Sequence, residues 1–109
     1  MAEHEYQIVL TSCPDSDTAS ALARELVEAR LAAAVNILPA GKSVYVWQQK
    51  VRTASEHLLL VKSATQNYPE IEAHIRSSHP YELPAILAVP IADASPDYLR
   101  WLENPWTIK

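Results

Sequence analysis

The chain has 109 residues, 49% of them hydrophobic and 20% charged, with a formal net charge of −4. That is enough for one domain with a core of its own and too apolar for a disordered chain, while the acidic balance removes any general attraction to phosphate backbones or anionic lipid. One glycine, Gly41, against eight prolines excludes the glycine-rich phosphate loops through which many proteins hold nucleotides.

No apolar run approaches the roughly 18 residues that a membrane span needs, and MAEHEYQIVL lacks the basic start of a signal peptide. The lone Cys13 cannot form an internal disulfide. The expectation is a cytoplasmic protein with no nucleic-acid or membrane partner.

YQIVLTS, residues 6–12, is a first strand closed by Cys13-Pro14-Asp15. Asp15 or Ser16 can cap a helix whose apolar positions Ala19, Leu22, Ala23, Leu26 and Val27 recur at spacings of three and four, which predicts an amphipathic helix to about Leu31. AAAVNIL, the break Pro39-Ala40-Gly41 and SVYVWQQKV read as one long, bent second strand. Thr53-Ala54-Ser55 reads as a turn, and EHLLLVKS as a third strand antiparallel to the second.

NYPEIEAHIRSS predicts a second helix, with Asn67 as its cap, Glu70 as capping-box partner, and Tyr68, Ile71 and Ile75 on one face. AILAVPI is the fourth strand. Ser95-Pro96-Asp97 caps a short last helix through Leu102.

The order βαββαβ plus a terminal helix is the ferredoxin-like split βαβ plan: an α+β domain, one antiparallel sheet with two helices on one face, spanning residues 1–109. Strands as apolar as LLLV and AILAV need cover on the second face too. Association with other copies is the main candidate, and a terminal helix folding back with Trp101 and Trp106 is the lesser one.

Chemistry is sparse. Motifs for a nucleophile or a zinc hydrolase are missing, so nothing points to an enzyme or to an organic cofactor. His57 and His74 read as structural or solvated. SSHPYELP, residues 77–84, stands apart: two prolines stiffen the loop, and His79, Tyr81 and Glu82 can point into one space. The competing reading is a connector whose histidine bonds to backbone. Cys13, at a strand end, reads as a small buried residue or as a partner of that loop. One Cys, one His and one Glu fall short of the usual three or four metal ligands within a chain.

The runs CPD at 13–15, LARELVEARLAAAVNILP at 22–39, SVYVWQQKV at 43–51, HLLLVKS at 57–63, HPYELPAILAVPI at 79–91 and PDYLRWL at 96–102 resemble the CutA divalent-cation tolerance family in order along nearly the whole chain. The resemblance implies a ferredoxin-like fold, a homotrimer knitted by the second and third strands, a cytoplasmic protein linked to copper(II) or another divalent metal, and an architecture like the PII signalling trimers. It brings no catalytic activity. The candidate metal residues are His79, Cys13 and Glu82, of which only His79 matches the family's pattern. The alternative is a PII-like signalling or scaffold trimer with an anionic metabolite in clefts lined by Lys62, Tyr81, Glu82 and Trp47.

The chain also departs from the family's pattern. Thr11 stands where copper-binding members carry Cys, and Cys13 where they carry Ala. Ser78-His79 stands where they pair two histidines, Val46 replaces the first tryptophan of the usual pair, and Gln49 replaces a glycine. Weak metal binding is the expectation. An RNA-recognition sheet needs aromatics on its central strands, and HLLLVKS has none.

Overall fold

The computed structural model describes residues 4–107. They run as β1 (Tyr6–Cys13), α1 (Ser16–Glu28), β2 (Ala34–Ile37), β3 (Gly41–Trp47), β4 (Lys50–Ala64), α2 (Tyr68–Ser78), β5 (Leu87–Pro90) and α3 (Pro96–Glu103), with a 3-10 turn at Thr65–Asn67 before α2. The sheet order is β2-β4-β1-β5, antiparallel throughout, and β3 pairs with the other end of β4. This is the expected split βαβ plan.

Alternation along β1 sets the core. Gln7, Val9, Thr11 and Cys13 are buried while Tyr6, Ile8, Leu10 and Ser12 turn to the other face. The register places Val9 opposite Val61 and Thr11 opposite Leu59. Ala19, Leu22, Ala23 and Leu26 of α1 and Ile71 and Ile75 of α2 close over that side. Two polar side chains inside are paired, Gln7 Nε2 donating to Ser63 Oγ at 3.2 Å.

The hairpin differs from the expectation. Its turn is Gln48-Gln49, not Thr53–Ser55. Both glutamines have positive φ, 52° and 66°, and Trp47 pairs with Lys50 across them. This two-residue loop needs φ > 0 at both central positions, which Asn and Gly adopt most readily; glutamine carries no such local signal, so it was not legible as a turn. Thr53, small and polar, instead pairs with Val44 inside an uninterrupted fifteen-residue β4.

The long second strand is two strands. Ile37 pairs with Leu59 and Gly41 with Glu56, so residues 38–40 stand opposite 57–58. One residue is extra, which makes a bulge at Pro39. There the Leu38 N–H donates to the Leu58 carbonyl at 2.9 Å, and His57 Nδ1 donates to the Leu38 carbonyl at 3.0 Å.

Two helix ends also differ. α1 stops at Glu28 because Arg30 adopts φ 62° and the chain closes a Schellman pair, Leu31 N–H to the Leu26 carbonyl and Arg30 N–H to the Val27 carbonyl, both at 3.0 Å. Asn67 does not cap α2. Its backbone is already helical, and its Nδ2 donates to the Leu31 carbonyl at 3.2 Å, so the capping box does not form. α3 starts as expected, with Ser95 Oγ accepting from the Tyr98 N–H at 3.3 Å.

The second face is only partly covered. Tyr98 of α3 lies over Lys62, 5.5 Å from its ammonium, and Leu102 is buried. Trp106 lies instead over the Arg30 guanidinium at 4.5 Å, half exposed. Leu58, Leu87 and Val89 stay exposed on the uncovered part of the sheet.

Candidate functional site at the His79 loop

α2 ends at Ser78 because Pro80 forces His79 out of the helical region, to φ −82° and ψ 137°. The His79 N–H still closes the last turn on the Ile75 carbonyl at 2.9 Å. The side chain then turns inward to the end of β1, where Nε2 donates to the Ser12 carbonyl at 2.6 Å. Its other nitrogen, Nδ1, accepts from the Tyr81 N–H at 3.1 Å. A carbonyl can only accept and an amide N–H can only donate, so the ring is neutral with its proton on Nε2. Both nitrogens are in use within the chain, and a metal ion reaches the ring only by displacing one of these bonds.

Cys13 is next to this contact in sequence but points the other way, fully buried among the core residues. Burial, then the carboxylates of Asp15 and Glu56, push its thiol up to about 11. The group is a protonated thiol near neutral pH, whereas a thiolate is what binds metal or attacks carbon. Thr11 is also buried, and its hydroxyl has no hydrogen-bond partner among the described residues. Glu82 is exposed on the loop. Among the described residues no three His, Cys, Asp or Glu side chains converge as a metal site would require.

The loop instead forms one wall of a cleft of about 760 Å³, whose other walls are β3, β4 and the end of β1. Tyr81 Oη donates to Glu56 Oε2 at 2.8 Å, and its ring tilts against the His79 imidazole with centroids 4.8 Å apart. Burial, followed by the Glu56 contact, pushes the Tyr81 phenol up to about 12. Trp47, Tyr81 and Glu82 of the predicted cleft set all line this space, joined by Tyr45, Glu56 and Leu83. Lys62 does not, since its ammonium lies under Tyr98 on the second face.

Glu56 and Tyr45 were missed in the sequence. A turn at 53–55 would have put Glu56 at the start of a strand, whereas the turn at 48–49 carries β4 past Gly41 and sets Glu56 beside Tyr81. His74 also has a partner, Glu25 Oε1 at 2.8 Å, tying α2 to α1.

Residues 7–105 match the family model described as CutA1 divalent ion tolerance protein. The chain belongs to the CutA1 family. The divalent-cation tolerance protein CutA of Thermus thermophilus is 44% identical over 98 residues, covering 90% of this chain and 95% of its own. The crystal structure of CutA1 from the psychrotrophic Shewanella sp. SIB1 superposes with a TM-score of 0.90 at 38% identity, covering 94% of this chain and 96% of its own. A chloroplastic CutA of Arabidopsis thaliana is 37% identical, covering 89% of this chain and 55% of its own. Among the described residues of this CutA1 chain no helix is long and apolar enough to cross a membrane.

Proposed function

We propose that this CutA1 chain is a non-enzymatic, cytoplasmic divalent-cation tolerance protein that works as a homotrimer and takes copper(II) or another divalent ion weakly. Family membership over residues 7–105 carries the reading.

The trimer is supported by the arm formed by β3 and the first half of β4. Val44, Val46 and Val51 share one of its faces and are 66%, 70% and 74% exposed. Three valines in a row on an arm extending past the helices represent apolar area whose burial contributes roughly 25 cal/mol per Å². A second copy of the same chain is the partner the resemblance names.

For the metal, His79 offers one imidazole and Glu82 one carboxylate. Imidazole suits copper(II) best in the Irving–Williams order. The ring must release the Ser12 carbonyl or the Tyr81 N–H to bind, which holds affinity to the micromolar range or weaker. A pocket for an anionic metabolite lacks support, because Lys62 lies elsewhere and the cleft carries carboxylates.

Light scattering tests the assembly, with three times the 12.1 kDa chain mass expected. Calorimetric titration of copper(II) into wild type and His79→Ala tests the metal residue. Coincident curves would remove His79 from the reading.

A further inference from the structure

The chemistry of the cleft beside Tyr81 is one-sided. Two carboxylates line it, Glu56 and Glu82, and among the described residues no Lys, Arg or His does. Neither glutamate enters an ion pair among the described residues. Only one oxygen of Glu56 is engaged, Oε2, by the Tyr81 hydroxyl. Two cations share this face of the arm, Lys50 opposite Trp47 and Arg52 opposite Tyr45; neither lines the cleft, and Arg52 is turned toward the hairpin tip, where Nε donates to the Trp47 carbonyl at 3.2 Å and Nη2 to Gln48 Oε1 at 3.5 Å. Apart from Ser12 and Ser43, the rest of the wall is apolar and aromatic, chiefly from Tyr45, Trp47, Tyr81 and Leu83.

Negative charge beside electron-rich ring faces is the arrangement that recognises an organic cation. Ring faces attract a cation through their quadrupole, most strongly for Trp, and a carboxylate adds direct attraction. A bare divalent ion fits poorly, since hard cations take six or more oxygen ligands and two carboxylates among apolar walls do not supply them. An anion is repelled. The volume lies within the roughly 300–1,000 Å³ of small-molecule sites.

We propose that the cleft between the 80–85 loop and the β3–β4 arm binds a small organic ammonium ion with an apolar body, its charge at Glu56 and Glu82 and its body against Trp47 and Tyr45. This site shares Glu82 with the metal reading but does not use His79, and the metal reading does not use Glu56. Glu56→Gln therefore tests the cleft alone, with copper affinity and assembly mass expected unchanged, and His79→Ala tests the metal reading.

The probe is benzyltrimethylammonium, titrated into the protein in its native assembly by calorimetry and by NMR of the Trp47 indole N–H. Benzoate, with the same ring and opposite charge, is the control. Saturable binding of the cation, none of benzoate, and weakening with rising ionic strength are expected. Glu56→Gln keeps an acceptor for the Tyr81 hydroxyl while removing the charge, and should weaken binding about tenfold. Glu82→Gln, on an exposed loop, should weaken it several-fold without touching the fold. Benzoate binding as tightly as the cation, no cation binding at all, or unchanged affinity in both variants would overturn the proposal.

Discussion

His79 Nε2 stands 2.6 Å from the carbonyl oxygen of Ser12, so the loop after α2 is tied to the last residues of β1. Residues 67 positions apart in the chain share one short hydrogen bond. The ring is itself nearly buried, and its second nitrogen holds the Tyr81 N–H. His79→Ala leaves a carbonyl and an N–H without their partner, a loss of about 1–3 kcal/mol. Urea denaturation should show that loss, and amide hydrogen exchange should show the 80–85 loop opening faster. An unchanged midpoint would mean the tether contributes nothing.

Leu59 is fully buried at the centre of β4, opposite Thr11 of β1 and Ile37 of β2. Leu59→Asp puts a charge there with no partner, a cost of several kcal/mol against a total stability of about 5–15 kcal/mol. The expected result is an insoluble or unfolded chain by circular dichroism. A folded variant with unaltered melting would contradict this account of the core.

Val46→Asp should behave oppositely. The side chain is 70% exposed within the single chain, so its own fold loses little, whereas an interface closing over the arm would bury the charge. The variant should stay folded while its mass by light scattering falls below that of the wild type. A wild-type mass would remove the arm from the interface.

The Gln48-Gln49 turn holds two non-glycine residues at positive φ. Gln49→Gly relieves the steric cost at φ 66° and should stabilise the protein by about 1 kcal/mol, read as a higher denaturation midpoint. A lower midpoint would show that the Gln49 side chain makes a contact worth more than the strain.

Two groups, the buried Cys13 and the partly exposed Tyr81, make the fold sensitive to alkali. Cys13 rises from an ordinary 9.0 to about 11, and Tyr81 from 10.0 to about 12. Both are neutral when protonated and hold their protons longer when folded. Their contribution is fully present below pH 9.0 for Cys13 and 10.0 for Tyr81, and is lost as pH rises to the folded values. Stability should therefore fall between about pH 9 and pH 12. Cys13→Ala should flatten the first part of that fall and Tyr81→Phe the second. Melting curves across this range decide it, and identical slopes in wild type and both variants would rule the assignment out.

Apart from the break in the second strand, local pattern alone determined the split βαβ order, the antiparallel plan and the core faces of α1 and α2. Apolar spacings of three and four report which side of a helix is buried, and Ala19, Leu22, Ala23, Leu26, Ile71 and Ile75 are core residues in the structure. The proline-bracketed loop was legible for the same reason, since proline acts on its own φ and on the residue before it. What needed the tertiary structure was every feature set by residues far apart in the chain. The positive φ of Gln48 and Gln49 is imposed by two strands pairing across them, and nothing in glutamine announces it. The bulge at Pro39 appears only once β2 and β3 share one partner strand. His79 could be read as a ligand or as a backbone-bonded connector until β1 brought the Ser12 carbonyl to its ring. Glu56 became part of a cleft only when the unbroken β4 carried it to Tyr81, because a side chain's partners depend on register, and here the register is set by a turn at Gln48-Gln49 that glutamine does not announce.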